Sequence, residues 1–188
     1  EKALDKIHRK IARESVTDGI KLPLRLDAKD LSKYLGKPVF AEDQEHLPAL
    51  KPGMAVGLAW TQLGGATLTI EAVANPGKEG FKITGQMGEV MQESASIAYT
   101  YVRQIAGAWK VDPKFFEEHQ IHLHIPAGAT PKDGPSAGIT MASALLSLVT
   151  GKRIRPNLAM TGELSLVGRV LPIGGLKEKT IAAKRNRI

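Results

Sequence analysis

The chain has 188 residues, no cysteine and a formal net charge of +7. The lack of cysteine excludes a disulfide framework, a thiolate zinc site and a cysteine nucleophile. No apolar run approaches the roughly 18 residues that cross a bilayer, and no signal peptide opens the chain, so the sequence does not predict a membrane protein. The first residue is Glu1 and not methionine, which indicates a piece of a longer protein.

The positive charge is concentrated at the carboxyl-terminal end. Residues 151–188 hold nine basic and two acidic side chains and so account for the whole excess. Such an excess fits a solvated helix face, an acidic partner or nucleic acid. Aromatic residues interleaved with these charges would favour single-stranded nucleic acid, but residues 151–188 contain none. The charge alone therefore assigns no function.

The amino-terminal part of the chain predicts a helix, a short strand and a second helix. Apolar residues recur at helical spacing over residues 1–16, and leucines alternate with other residues over 22–26 as in a half-buried strand. Asp27 can cap a second helix that ends at Gly36. This unit is too small to enclose its own core. Prolines and mixed charges then predict a linker over residues 37–52.

Beyond the linker, strands and helices are mixed along the chain. Strands are predicted at 54–60, 66–74, 81–84, 121–125, 157–160 and 164–171, with a hairpin at Gly64–Gly65. Helices are predicted from Gly88 to about Ala106, from Asp112, over 136–149, and from Gly175 to Ile188. The helix at 136–149 is almost entirely apolar and must be buried. Strands and helices are thus both predicted for this part of the chain.

The most informative segment is the run PAGATPKDGPSAG at 126–138, which lies between an apolar strand and the buried helix. It brings Ser136 to the amino-terminal end of that helix. Serine in this place can be a helix N-cap, or it can be a nucleophile, because unpaired N–H groups there can hold a developing oxyanion. The small neighbours Gly134, Ala137 and Gly138 let a substrate backbone approach closely.

A serine nucleophile needs a base, and two pairs of residues are candidates. His122 and His124 are two apart on a predicted strand and share one face, where they can be a triad base, a zinc pair or structural residues. His119 is the third histidine of this region. Lys177 and Lys179 follow a Gly-Gly turn and lie about 200° apart around a helix, so one of them can face inward, or both can be solvated surface lysines. Burial lowers the pKa of an inward lysine from about 10.4 and makes it a usable base.

Together these motifs resemble a known family. The run PKDGPSAG, followed downstream by MTGE and LPIGGLKEK, is similar to the proteolytic domain of the Lon ATP-dependent proteases, in the form of the type-A enzymes. The resemblance covers roughly residues 50–188, and it includes GLAWTQLGG, TIEA, GQMGEVMQES and IHLHIPAGATPKDG. It implies the Lon proteolytic-domain fold, an α+β arrangement of mixed sheets and packed helices in the β-α-β superfamily that also contains a ribosomal protein and sugar kinases.

Carried over residue by residue, the resemblance implies a Ser–Lys dyad. It makes Ser136 the nucleophile and Lys179 the general base. Thr161, in the MTGE motif, falls where the family's threonine helps to hold the lysine amine. Glu71 falls on an acidic position that supports the site and its charge state. Asp133 lies on a loop that shifts between open and blocked forms in the family.

The resemblance also implies which groups stabilise the oxyanion and which residues stay outside the chemistry. The backbone N–H groups of Ser136, Ala137 and Gly134 are the implied oxyanion donors. Lys177 becomes a solvent-side lysine. The two histidines of the strand at 121–125 match structural positions, so neither a metal site nor a histidine triad is implied.

At the level of the whole protein, the resemblance implies three parts of the chain. Residues 1–36 look like the end of the family's ATPase lid, 37–52 like a linker, and 53–188 like the proteolytic domain without its carboxyl-terminal end. The chain has no P-loop motif, so no cofactor is expected in this fragment, and ATP and Mg²⁺ are expected for the motor of a full-length enzyme. Expected partners are unfolded or tagged proteins and further copies in a hexamer. The expected location is the bacterial cytoplasm, with the mitochondrial matrix as the alternative.

A second interpretation comes from a different functional class. Lon-like domains also occur in DNA-repair ATPases, so the chain can be a non-catalytic oligomerisation or nucleic-acid-binding module. DNA is then the expected partner of the basic carboxyl-terminal segment. Inactive relatives lack the paired serine and lysine, whereas this chain has Ser136 and Lys179. The pair favours the protease and leaves DNA binding open as an added function.

Overall fold

The computed structural model describes residues 2–36, 50–61, 64–126 and 131–188. The chain divides into two compact units, residues 1–46 and 47–188, and each is described by itself. Most of the predicted linker, residues 37–49, lies outside the described residues.

The described part of the first unit contains two α-helices, α1 (Lys2–Thr17) and α2 (Leu31–Leu35), and a 3₁₀ turn at Ala28–Asp30 that leads into α2. Helix α2 ends at Gly36, as its sequence predicts. Tyr34 is buried, and its hydroxyl donates a hydrogen bond to Glu14 of α1 at 3.3 Å. The Lys33 amine donates to the same carboxylate at 2.9 Å. These bonds fasten α2 to α1 in a unit with few buried side chains.

The strand predicted at residues 22–26 does not form, and that prediction is wrong. This segment is a bend followed by irregular backbone, and Leu22 and Leu24 are exposed. Pro23 has no N–H to donate to a β-ladder, and the described part of this unit contains no other strand to pair with. The alternation of leucines therefore has no sheet face to cover.

A five-stranded mixed sheet organises the second unit. Its strands are β1 (Met54–Thr61), β2 (Gly64–Pro76), β3 (Gly80–Thr84), β4 (His119–His124) and β5 (Ala159–Met160). Their order in the sheet is β3-β4-β2-β1-β5. Strand β2 pairs antiparallel with both β1 and β4, whereas β3–β4 and β1–β5 are parallel pairs. The sequence predicts each of these strands, with ends that differ by a few residues.

Helices cover both faces of this sheet. They are α3 (Glu89–Ile105), α4 (Lys114–Glu117), α5 (Gly138–Thr150) and α6 (Leu176–Arg185). A β-carbon at Gly57 would contact Thr140 of α5, whereas one at Gly65 would overlap the Glu178 carbonyl of α6. Gly57 is directly opposite Leu68 on β2, so these two residues point to the same face of the sheet. Gly65 is an odd number of residues from Leu68 and therefore points to the other face, so α5 and α6 lie on opposite faces.

The core lies between the sheet, α3 and α5. Its largest fully buried apolar side chains come from β2, β4, α3 and α5 or follow β4 directly, and they are Ile70, Val102, Ile121, Leu123, Ile125, Met141 and Leu145. Helix α5 contacts both α3 and the sheet, which explains why its sequence is apolar on almost every side. The burial predicted for this helix is therefore confirmed.

Two predicted elements have different bounds in the structure. The single strand predicted at 164–171 is a hairpin of β6 (Glu163–Leu164) and β7 (Val170–Leu171). Its turn closes through a hydrogen bond from the Gly168 N–H to the Ser165 carbonyl at 2.9 Å. Helix α6 ends at Arg185 and not at the last residue, because the backbone leaves the helix at Asn186. Across the described ranges, no helix combines the length and the apolar character needed to cross a membrane.

Candidate active site

Ser136 lies in a 3₁₀ turn, Pro135–Ala137, that leads directly into α5. Gly134 precedes the turn with a φ of 107°, a conformation that favours glycine. The side chain of Ser136 is half-buried and makes no hydrogen bond within the described residues. The N-cap residue of α5 is Ala137. Ser136 therefore has the predicted place at the helix entrance without serving as its cap.

The backbone of Ser136 is held by the segment between β5 and β6. Its carbonyl accepts the Gly162 N–H at 2.8 Å and the Thr161 hydroxyl at 3.3 Å. Gly138 permits this contact, since a β-carbon there would lie 2.8 Å from the backbone nitrogen of Leu164. The PKDGPSAG and MTGE motifs thus meet at the serine.

Lys179 is the buried lysine of α6. Its side chain is 3% exposed, whereas Lys177 is exposed, as the helical spacing predicts. The Lys179 amine donates a hydrogen bond to Thr161 Oγ1 at 3.1 Å. Burial lowers the pKa of Lys179 below the ordinary lysine value. The amine is therefore easier to deprotonate than a solvated lysine.

Thr161 connects the serine and the lysine, and Ser136, Thr161 and Lys179 are called the Ser–Thr–Lys cluster below. The Thr161 oxygen accepts from the amine while its proton is donated to the Ser136 carbonyl. This arrangement leaves the lone pair of a neutral amine free for another proton. No hydrogen bond described in this conformation joins the amine to the Ser136 hydroxyl directly. The geometry thus brings three predicted site residues together around Thr161.

Asp133 holds the loop before Ser136 against the start of α3. Its Oδ1 accepts the N–H of Met91 at 3.0 Å and that of Gly134 at 2.8 Å. Met91 lies in the first turn of α3, where N–H groups lack helical partners and negative charge is favoured. The Gly134 N–H, an expected oxyanion donor, is engaged with Asp133 in this conformation.

Glu71 lies apart from these bonds. It is half-buried on β2, directly opposite His124 of β4 and Met54 of β1. Because it is six residues from Gly65, it shares the sheet face that α6 covers. Within the described structure, no hydrogen bond or ion pair joins Glu71 to the Ser–Thr–Lys cluster. In this conformation, the described residues thus show no direct contact for the supporting role predicted for Glu71.

The histidines are engaged away from the serine. His122 Nε2 and His124 Nδ1 both contact Thr84 Oγ1, at 2.8 and 2.7 Å. His119 Nδ1 contacts the Phe115 carbonyl at 2.8 Å. Among the residues that the structure describes, no three histidine or acidic side chains come close enough to hold a metal ion. Among these described residues, the three histidines thus contact Thr84 and the Phe115 carbonyl and not Ser136.

An open cleft of about 180 Å³ adjoins the serine turn. Its walls come from α3, the serine turn and β6, and they are Val90, Glu93, Ser94, Ile97, Pro135, Glu163 and Leu164. The cleft is mainly apolar inside and has two carboxylate residues in its wall. Pro135, the residue before Ser136, forms part of its wall.

The family comparison identifies this arrangement. The Lon protease (S16) C-terminal proteolytic domain model matches residues 25–188. The chain therefore belongs to the Lon proteolytic-domain family, and its α+β fold is the fold that the sequence motifs predict. The match begins within the segment that we predict to be the end of an ATPase lid, so the boundaries at residues 36 and 52 stay predictions.

Curated relatives support the same family. The chain is 56% identical over its whole length to the Lon protease of Borrelia duttonii and to that of Treponema pallidum, of which it covers 23% and 22%. It is 53% identical to the Lon protease of Desulfovibrio desulfuricans over 97% of the chain and 20% of that protein. The chain thus spans about a fifth to a quarter of the length of these relatives. None of these similarities supports a non-catalytic module.

The sequence does not predict two residues that hold the loop before Ser136. They are Gly88, whose N–H donates to the Lys132 carbonyl at 2.7 Å, and Ser94, whose hydroxyl donates to the Pro135 carbonyl at 3.3 Å. One signal was available. Helix α3 follows Gly88 and lacks a serine, threonine, aspartate or asparagine at its N-cap, so its first N–H groups are open to a group from elsewhere in the chain or to water.

Gly65→Ala is expected to displace Lys179 through α6. The added β-carbon would overlap the Glu178 carbonyl, so helix and strand must move apart. We expect the free energy of unfolding to fall by about 1–3 kcal/mol, and peptide cleavage to fall with it. Urea unfolding and peptide hydrolysis measure the two effects. Gly107→Ala is the matched control, because a β-carbon at that site meets no atom within 4 Å. Equal behaviour of the two variants would contradict the tight contact.

Proposed function

We propose that this chain is the peptidase part of an ATP-dependent serine endopeptidase, with Ser136 as the nucleophile and Lys179 as its general base. The observation that carries the proposal is the chain of contacts from the buried amine to Thr161 and on to the Ser136 backbone, at 3.1 and 3.3 Å. Among the described residues no carboxylate pairs with the Lys179 amine, which favours its neutral form. Membership of a proteolytic family supports the same reaction.

The first half of the reaction forms an acyl-enzyme. The neutral Lys179 amine takes the proton of the Ser136 hydroxyl, and the alkoxide attacks the carbonyl carbon of a peptide bond. The tetrahedral intermediate collapses, its C–N bond breaks, and the Lys179 ammonium returns the proton to the leaving amine. Water then attacks the ester with the amine again as base, and the carboxylic acid product leaves Ser136 free.

Backbone N–H groups of the serine turn would stabilise the oxyanion. We assign this role to Ser136 and Ala137, and to Gly134 once its N–H is released from Asp133. Each donor is worth about 3–4 kcal/mol in comparable acyl-transfer sites. Release of this one N–H would add a donor to the site, while the Met91 N–H can keep Asp133 at the start of α3.

The remaining site residues act through Ser136 and Lys179. Thr161 would orient the amine, because its oxygen accepts one amine hydrogen and leaves the lone pair directed elsewhere. We assign Glu71 an effect on the charge of the site from the sheet face that α6 covers. The cleft beside Pro135 would receive the substrate chain next to the scissile bond.

The rest of the protein is part of the same proposal. We propose that residues 1–36 end an ATPase lid, that 37–52 are a linker, and that a motor using ATP and Mg²⁺ lies outside this chain. Its substrates would be unfolded, damaged, regulatory or tagged proteins, and its assembly a homohexamer. The three relatives described above are bacterial proteins, which favours the cytoplasm of a bacterium. DNA binding by the basic end of the chain is an added candidate function.

A pH profile of peptide hydrolysis tests the proposal. Because the active form of Lys179 is neutral, its fraction rises with pH, and kcat/KM should rise through the lowered pKa of that amine and then level off. The rising limb should lie below the ordinary lysine value of about 10.4. The measurement uses a short fluorogenic peptide and the full-length protein. Activity that falls as the pH rises through this range, or no cleavage at any pH, would refute the assignment.

A further inference from the structure

The loop that carries Ser136 is bonded along its length to the start of α3. Residues 131–137 are called the serine loop below. Lys132 donates its N–H to the Gln86 carbonyl at 3.0 Å and accepts the N–H of Gly88 at 2.7 Å. Further along, Ser94 donates to the Pro135 carbonyl at 3.3 Å. Asp133 lies between these contacts in the serine loop. Its carboxylate accepts the N–H of Met91 and so caps the first turn of α3.

Gly88 stands at the closest approach of the serine loop to α3. A β-carbon there would lie 2.5 Å from Asp133 Oδ2 and 2.8 Å from Oδ1, too close for either atom to stay. The backbone of Gly88 is extended, with φ −68° and ψ 173°, so any residue can adopt its conformation. A side chain at residue 88 therefore conflicts with the carboxylate and not with the local backbone.

The carboxylate cannot yield without losing its partners. Asp133 Oδ1 is held by the N–H groups of Met91 and Gly134, at 3.0 and 2.8 Å. Swinging the short side chain away from residue 88 would break both bonds and would leave the first turn of α3 without its cap. Three residues further on is Ser136, whose carbonyl is bonded to the opposite side of the site by Thr161 and Gly162. The serine is thus held between α3 and the β5–β6 segment.

We propose that Gly88 is a positioning residue for Ser136. Its lack of a side chain lets the Asp133 carboxylate cap α3, and this cap sets the place of the serine loop relative to Thr161 and Lys179. The inference rests on the proposed role of Ser136 as the nucleophile. It predicts that a single methyl group at residue 88 impairs the reaction without touching any reacting atom.

The test compares Gly88→Ala with Gly107→Ala in the full-length protein, with a fluorogenic peptide as substrate. We expect Gly88→Ala to lower kcat about 10- to 100-fold with KM little changed, since a displacement of about 1 Å costs a rate of this order. Gly107→Ala adds the same methyl group in open space and should keep the unaltered rate. Gly88→Ser distinguishes the steric collision of the β-carbon from an effect on helix capping. Serine is a good N-cap residue but its β-carbon collides equally, so Gly88→Ser should lose as much activity as Gly88→Ala.

A double-mutant cycle with Asp133→Ala identifies the cause of the loss. We expect Gly88→Ala to lower the melting temperature when Asp133 is present and to have little effect when the carboxylate is absent. The cycle is measured by thermal unfolding, so it can be read even if Asp133→Ala is inactive. Full activity of Gly88→Ala, an undamaged Gly88→Ser, or an equal effect in both backgrounds would overturn the inference. Loss of the nucleophile assignment itself would be seen separately, as retained cleavage by Ser136→Ala.

Discussion

Ser136→Ala is expected to abolish peptide cleavage by the full-length protein. Without the hydroxyl no acyl-enzyme can form, and the rate should fall roughly 10⁴- to 10⁶-fold, as when a serine nucleophile is removed elsewhere. Hydrolysis of a short fluorogenic peptide measures this effect independently of the unfolding of protein substrates. The fold should be unaffected, because the Ser136 side chain makes no hydrogen bond within the described structure.

Thermal unfolding supplies the control for this variant. We expect its melting temperature to match that of the unaltered protein, since the Ser136 backbone keeps its bonds to Thr161 and Gly162. Cleavage that persists in a well-folded Ser136→Ala protein would show that another group attacks the peptide bond.

Lys179→Gln is expected to cause the second of the two largest losses. Glutamine has a similar length but no basic nitrogen, so the Ser136 proton has no acceptor and kcat should fall by roughly 10⁴-fold or more. Lys179→Arg should be equally inactive, although it retains a positive charge, because a guanidinium is not deprotonated in proteins. Steady-state hydrolysis of the fluorogenic peptide measures both variants.

Lys177→Gln is the matched control for the lysine. It lies two residues away on the same helix and is exposed, so it tests the loss of a positive charge from α6 without the loss of the buried amine. We expect the activity of Lys177→Gln to stay near that of the unaltered protein. Loss of activity in Lys177→Gln, or retained activity in Lys179→Arg, would contradict the role of a neutral Lys179.

The strand and helix pattern of the second unit was largely predictable from sequence. Period-two and period-3.6 patterns identify elements whose one face meets a core, and β1 to β4, α3 and α5 are of this kind. The pattern fails where no core lies nearby. Leucines at 22–26 alternate without a sheet to cover, and the segment at 164–171 contains a tight turn at Gly168 that apolar content alone does not reveal.

The candidate site was predictable in part for the same physical reasons. Helical spacing alone indicates that only one of Lys177 and Lys179 can face inward, and motif resemblance selects Lys179. Spacing cannot show that Thr161 lies between the amine and Ser136, because these residues come from three separate elements. Nor can it show that Gly88 must be small, since its contact is with a loop more than forty residues away.

Two helices on opposite faces of the sheet position the residues of the candidate site. Helix α5 brings Ser136 from one face of the sheet, and α6 brings Lys179 from the other, so the nucleophile and the base approach at the end of β5. Thr161, directly after β5, meets both. Close packing on each side depends on a glycine, Gly138 as the first residue of α5 and Gly65 on β2 against α6.

A crystal structure with a peptide boronic acid tests the central claim most directly, because boron forms a tetrahedral adduct with the attacking oxygen of a serine hydrolase. We expect the boron to be bonded to Ser136 Oγ, with the Lys179 amine within about 3 Å of that oxygen. The amine should keep its contact with Thr161. Boron bound to another residue, or a Lys179 amine that stays out of hydrogen-bonding reach of Ser136 Oγ in the adduct, would contradict the Ser–Lys mechanism.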